Sequence, residues 1–126
     1  MKFHTGFLSL TIVAILIVGV VLGCGGGGGG SSDACLGTVA YQGKIFEGKG
    51  KDAEESKRNV CNNYCRDADP EFDIRYGIWL ESPKGKAAGS PSKQESIFKD
   101  KDLMTFVTET CSKKCVAEMK PEAKCK

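Results

Sequence analysis

Histidine is almost missing from this chain. The single one, His4, precedes the only long apolar run, so anything built from the remainder has none. A catalytic site there must rely on carboxylates, lysine or tyrosine, and a zinc site on thiolates alone. C-x-x-C does not occur, which removes the usual thiol-oxidoreductase pattern and the common zinc knuckle. C-x-x-C-H does not occur either, which removes covalent haem attachment. A surplus of one charge is also lacking. The 18 Lys and Arg face 16 Asp and Glu, interleaved as in KDAEESKR and FKDKD. Nucleic-acid-binding domains carry a basic surplus; this pattern reads as solvated helix faces, and no nucleic-acid partner is expected. Tryptophan occurs once, as Trp79.

The one long apolar run spans Leu8 to Leu22, LSLTIVAILIVGVVL, behind a start that carries Lys2 and no acid. A basic n-region followed by an apolar h-region is the layout of a secretory signal. A spanning helix needs about 20 apolar residues. This run is shorter and carries Ser9 and Thr11 near its start, so a signal is favoured over a membrane anchor.

The end of the run is Val21-Leu22-Gly23-Cys24. It resembles a bacterial lipobox, with Leu22 larger than the common Ala or Ser. The resemblance implies a diacylglyceryl group on the Cys24 thiol, removal of residues 1–23, and acylation of the new amino group. Several chains on one residue make a lasting anchor where one is marginal. The alternative for Cys24 is a disulfide. Residues 25–34, GGGGGGSSDA, then form a tether of flexible composition with a span of about 15–20 Å. Gly25 follows Cys24 where Asp would favour inner-membrane retention in enteric-type bacteria. The resemblance therefore implies the cell envelope, and the outer membrane where there is one.

Removing residues 1–23 leaves 103 residues, one domain at most, with 17 basic against 16 acidic side chains. Cys35, Cys61, Cys65, Cys111, Cys115 and Cys125 remain. An even number in a small exported chain argues for a disulfide framework, which a limited core needs. The expected domain is residues 35–126.

LGTVAYQGKIFEG, residues 36–48, reads as a β-hairpin with Gln42-Gly43 in a tight mirror-image turn. Residues 52–68 read as a helix, with Asp52 and Glu55 in capping-box spacing and Ala53, Val60, Cys61, Tyr64, Cys65 and Ala68 near one face. DPEFDIRYGIWL, residues 69–80, supports two assignments. Asp69 as cap with Pro70 in the first turn argues for a helix burying Phe72, Tyr76, Trp79 and Leu80. Phe72, Ile74, Tyr76, Ile78 and Leu80 also alternate as a strand would. Helix is favoured. Residues 82–92 read as loop. Ser92 and Glu95 can box a short helix over 92–99. A last helix starts at Asp100 or Asp102 and runs to about Glu118, with Leu103, Phe106, Val107, Thr110, Cys111, Cys115 and Met119 as its stripe. The fold class is α+β: a hairpin, then two or three helices with an antiparallel pair.

Cys61-x-x-x-Cys65 and Cys111-x-x-x-Cys115 share one spacing, and residues four apart stack on one helix face. Two antiparallel helices facing each other give the bridges Cys61–Cys115 and Cys65–Cys111, leaving Cys35 with Cys125. Six cysteines allow 15 pairings, so spacing alone does not single this one out. The pattern is similar to the plant α-hairpinin peptides, which staple two helices through paired C-x3-C motifs. The likeness covers those four cysteines, and the segment 66–110 between them is far longer here. It implies the stapling geometry and no defence function.

FEGKGKDAEESKRNVC resembles the second half of a double-stranded-RNA-binding domain: a strand, Gly-x-Gly, then a helix. Ala53 and Glu54 stand near the places where that family sets two phosphate-gripping lysines. The likeness implies hairpin-to-helix architecture and not RNA binding.

Among candidate sites, Asp67, Asp69, Glu71 and Asp73 are close in sequence, and paired carboxylates can do acid–base work or hold Ca2+. DADPEFD lacks the Gly and terminal Glu of an EF-hand loop, and acids in a helix's first turn suit its dipole. Neither metal nor cofactor is expected. Tyr76 and Trp79, one turn apart, are candidate contact residues, though small cores use such aromatics as often. The reading favoured here is a non-catalytic, lipid-anchored envelope protein, attached to the membrane through Cys24 and binding an envelope protein or glycan. The alternative is a small carboxylate-based enzyme or metal-dependent module.

Overall fold

The computed structural model describes residues 34–126. The expected signal, Cys24 and the tether lie outside the described residues, apart from Ala34. Among the described residues no helix is long and apolar enough to cross a membrane.

Strands β1 (Cys35–Tyr41) and β2 (Lys44–Gly50) pair antiparallel, with Tyr41 opposite Lys44. Gln42 and Gly43 both take positive φ, 48° and 77°, in the turn between them. Such a turn matches the right-handed twist of the flanking strands. A third strand, β3 (Glu122–Cys125), pairs with the other edge of β1, giving the order β2-β1-β3. The sequence reading has no strand here: four residues after Pro121 carry no alternation of their own. Their place is set by the partner strand, with Cys35 directly opposite Cys125.

Helix α1 (Ala53–Ala68) lies across one face of this sheet. Asp52 caps it by accepting from the Glu55 N–H, at 2.8 Å. The Glu55 carboxylate returns to the N–H of Lys51, one residue earlier than the usual capping box. The sheet face toward α1 is short of side chains. A Cβ on Gly37 would stand 2.4 Å from the Ser56 carbonyl oxygen, and one on Gly48 would stand 2.2 Å from the Val60 nitrogen. Glycine lets helix backbone and sheet backbone meet here. Asn59 and Asn63, one turn apart, donate to the carbonyls of Lys49 and Glu47 and tie β2 to the helix. Ser56 is fully buried and donates back to Ala53, so a polar residue sits where the apolar stripe passes.

Helix α2 (Pro70–Glu81) follows at once: Asp69 accepts from the Phe72 N–H, and Pro70 opens the helix. Helix therefore wins over strand for this segment. Residues 82–92 are not loop throughout. Ser82 caps a short helix, α3 (Pro83–Ala87), by accepting from Gly85 N–H. Gly85 is buried, and a Cβ there would stand 2.1 Å from the Trp79 carbonyl oxygen. Helix α4 (Lys93–Lys99) carries a complete capping box between Ser92 and Glu95.

The last helix is one run of helical backbone in three parts: α5 (Lys101–Thr105), a π-helical turn (Phe106–Cys111) and α6 (Ser112–Met119). Asp100 caps it through the N–H groups of Asp102 and Leu103. The π turn changes the stripe. Buried positions step from Phe106 and Val107 to Cys111 and Ser112, five residues on, and Thr110 is exposed. An i→i+5 turn is wider than an α turn and rotates Thr110 out of the stripe. Lys120 takes a left-handed conformation and ends the helix.

The last helix runs antiparallel to α1. Cys61 is bridged to Cys115 and Cys65 to Cys111, with Cα separations of 5.7 Å and 5.9 Å. The third bridge joins Cys35 to Cys125. The main core lies between sheet, α1, α2 and the last helix, with Phe46, Val60, Phe72 and Val107 among its buried members. All of this core and all three bridges fall within residues 34–126, so this unit carries what it needs to fold by itself.

Candidate functional site

Helix α2 has two faces. Inward, Phe72 is fully buried and stacks against Tyr76 and Phe106, each at 6.3 Å between ring centres. Tyr76 is half-buried, and its hydroxyl donates to the Pro91 carbonyl at 2.7 Å. Trp79 is 8% exposed. Its Nε1–H donates to Asp100 Oδ2 at 3.1 Å. Tyr76 and Trp79 thus hold α2 to the segments before α4 and α5, with their polar tips satisfied inside the domain.

Outward, one turn apart, stand Ile74 and Ile78, 65% and 69% exposed. Gly77 lies between them, with nothing within 4 Å of where a Cβ would be. Beside this ridge is an open cleft of about 390 Å³. Ile78, Trp79 and Leu103 give it an apolar floor, and Arg75, Lys84 and Asp102 a rim of both signs. Arg75 is fixed over the Phe106 ring at 4.4 Å and pairs with Glu71. Such a surface can seat an apolar side chain and orient its polar neighbours. The sequence carries the signal for this ridge. Once residues 70–81 are a helix, positions 74 and 78 fall opposite 72, 76 and 79.

Asp100 is the site's acid that sequence reading passed over, taken there only as a possible helix start. It is buried and serves three donors: Trp79 Nε1–H and the N–H groups of Asp102 and Leu103. Asp100→Ala is expected to cost about 2–4 kcal/mol, since it removes a helix cap and strands a buried indole N–H. Asp100→Asn keeps one acceptor oxygen for the cap but sets an NH2 donor against the Trp79 Nε1–H, so it should recover only part of that loss. Urea unfolding of the two variants measures this, and equal losses would refute the shared-acceptor role.

The clustered carboxylates are each engaged separately. Asp69 caps α2, Glu71 pairs with Arg75, Asp73 with Lys93, and Asp67 with Arg66. The Arg66 guanidinium, by direct hydrogen bonding, holds the Asp67 carboxyl below the usual carboxylate range. Among the described residues no group of three or more His, Cys, Asp or Glu is placed to share one metal ion. Cys24 lies outside the described residues.

A second cleft opens where Tyr41, Tyr64, Asp69 and Lys114 line a space of about 320 Å³. Tyr64 meets Tyr41 and Phe46 edge-on, at 5.0 Å and 5.7 Å. Its pKa is pushed up to about 12, first by burial, then by the Asp69 carboxylate and Tyr41. A raised folded pKa stabilises fully below the unfolded value near 10 and loses that contribution as pH climbs toward 12. The domain is therefore expected to lose stability across that window. Tyr64→Phe should flatten the loss, read from urea midpoints at successive pH values. An unchanged slope would place the alkaline sensitivity elsewhere.

No known family model, no curated protein and no solved structure matches the chain.

Proposed function

We propose that the chain is a lipid-anchored protein of a bacterial envelope, outer membrane where there is one. Its disulfide-bonded domain serves as a non-catalytic interaction module. The partner is an envelope protein or glycan, and the contact surface is the outer face of α2. The observation that carries this is the exposure of Ile74 and Ile78 beside the Trp79 cleft, on a helix whose inner face is locked by Phe72, Tyr76 and Trp79. Two large apolar side chains side by side, next to an apolar cleft with a polar rim, have the make-up of a contact surface. Three disulfides in a domain of this size belong to the chemistry of an oxidising compartment, in keeping with export. The lipobox-like Val21-Leu22-Gly23-Cys24 supplies the attachment.

Intact mass of protein extracted from membranes, before and after reduction and alkylation, tests the anchor. Loss of residues 1–23 with added diacylglyceryl mass, and six cysteines that label only after reduction, is the expected result. An uncleaved chain would make residues 7–22 a membrane anchor instead. For the contact surface, photo-crosslinkers at positions 74 and 78 should give one discrete adduct in intact envelopes, lost in the Ile74→Asn, Ile78→Asn double variant when the probe is moved to position 81. No adduct from any of these positions would overturn the role of α2.

A further inference from the structure

The sheet covers α1 with one face only, and its other face turns away from the helix. Cross-strand partners point to the same side of a sheet. On the outer side, Leu36 is flanked by Lys49 on β2 and Lys124 on β3. The N–H of Lys126 donates to the Ala34 carbonyl at 2.9 Å and carries that register one residue further. Lys51 follows buried Gly50 on the opposite flank. Lys49 and Lys124 therefore share one row with Leu36, Lys126 carries the β3 side one row further, and Lys51 follows β2 at a bend. Strand geometry sets the Cα atoms of Lys49 and Lys124 about 10 Å apart. All four are exposed, and among the described residues none is ion-paired. Glu47 and Glu122 form the next row inward, beside Thr38, so the positive charge is confined to the sheet's end.

That end is where the chain enters the domain. Ala34 sits opposite Lys126, and the residues before it lead back to Cys24. The domain as a whole is nearly neutral, so four lysines against the Glu55 carboxylate at the Lys51 N–H make a local positive surplus at the point of attachment. We propose that this lysine array is a docking surface for an anionic lipid bilayer, which orients the anchored domain with the sheet's end toward the headgroups. The proposal rests on the lipid-anchored reading for its setting. A Gly/Ser-rich tether of this length, flexible by composition, is no bar to this end touching the membrane surface. Each lysine near an anionic surface strengthens binding on the order of fivefold, and the effect fades within a Debye length. Docked this way, the array faces lipid while α2, which is not part of the sheet, is left to its own contacts.

The test uses residues 34–126 without lipid, with the three bridges formed. Partition is measured at low salt on vesicles of one part phosphatidylglycerol to two parts phosphatidylcholine, and on phosphatidylcholine alone. Binding to the anionic vesicles only is expected, with loss as salt is raised. Changing Lys49, Lys51, Lys124 and Lys126 to Gln should weaken it on the order of several hundredfold. The same change at Lys84, Lys86, Lys99 and Lys101, equal in net charge but off the sheet, should weaken it only a few-fold. Equal losses in the two variants, no partition of the parent domain, or partition to neutral vesicles would each overturn the proposal. So would inorganic phosphate displacing the domain more strongly than chloride of equal ionic strength, which would mark a soluble phosphate site. The two readings fail separately. Absence of lipid mass on Cys24 sinks the anchor and leaves vesicle partition standing; absence of partition leaves the lipid mass standing.

Discussion

Gly48→Ala is expected to cost about 3–5 kcal/mol, a large part of the total stability of a small domain. The added methyl would lie 2.2 Å from the Val60 nitrogen and 2.6 Å from the Asn59 carbonyl carbon. Both are backbone atoms, so no side-chain rotation relieves the clash. The helix cannot easily retreat, because Cys61 and Cys65 fasten it to the last helix immediately beyond. Nor can β2 retreat, because Asn59 and Asn63 hold its Lys49 and Glu47 carbonyls. Gly77→Ala is the matching control. Its Cβ meets nothing within 4 Å, in the middle of an exposed helical face. Helix propensity predicts a gain of up to ~1 kcal/mol there. Urea midpoints of the two variants should therefore move in opposite directions. A Gly48→Ala midpoint near that of the parent would mean that sheet and helix are not in backbone contact.

The second large effect is non-additive. Taken alone, Cys61–Cys115 and Cys65–Cys111 close separations of 54 and 46 residues. The chain-entropy estimate values either loop at about 4 kcal/mol. With one bridge in place, the other closes only a ring of two helical turns, already ordered by the helices themselves. Removing one bridge by paired Cys→Ala changes should therefore cost about 1–2 kcal/mol, mostly lost packing. Removing both should cost on the order of 5 kcal/mol or more, exceeding the sum of the single losses. The cycle is closed by measuring all four forms in urea with Cys35–Cys125 intact. Simple additivity would show that each bridge restrains the unfolded chain independently, against their nesting.

Several elements were legible for identifiable local reasons. Gln42-Gly43 marks its turn because both positions need positive φ. Asp69-Pro70 marks the start of α2 because the acid caps and proline fits the first turn. Ser92 with Glu95 marks α4 by a complete capping box. The paired C-x3-C spacing marks two helix faces. Other features had no local signature. Strand β3 exists because β1 offers an edge and Cys125 is bound to Cys35. The π turn that exposes Thr110 satisfies packing on both of its sides while the sequence runs on at ordinary helical spacing. Helix α3 was hidden in a stretch rich in Gly, Ser and Pro, where composition outweighed the Ser82 cap.

The candidate contact surface divides in the same way. Tyr76 and Trp79 stand out by residue type, yet their exposure depends on which face of α2 meets Phe106 and Asp100. Ile74 and Ile78 look like core by type and lie in water by geometry.

What the sequence by itself determined is local chemistry: the hairpin turn, the caps, the α+β class and the even set of six cysteines. These depend on side chains acting on their own or adjacent backbone, where few conformations compete. Only the tertiary structure decided which cysteine meets which, which aromatics are buried, that glycines bring sheet and helix into backbone contact, and that four lysines from two distant stretches share one end of a sheet. Those outcomes depend on packing between segments from 12 to 90 residues apart. At such separations burial and close approach are properties of the assembled core and of no segment alone.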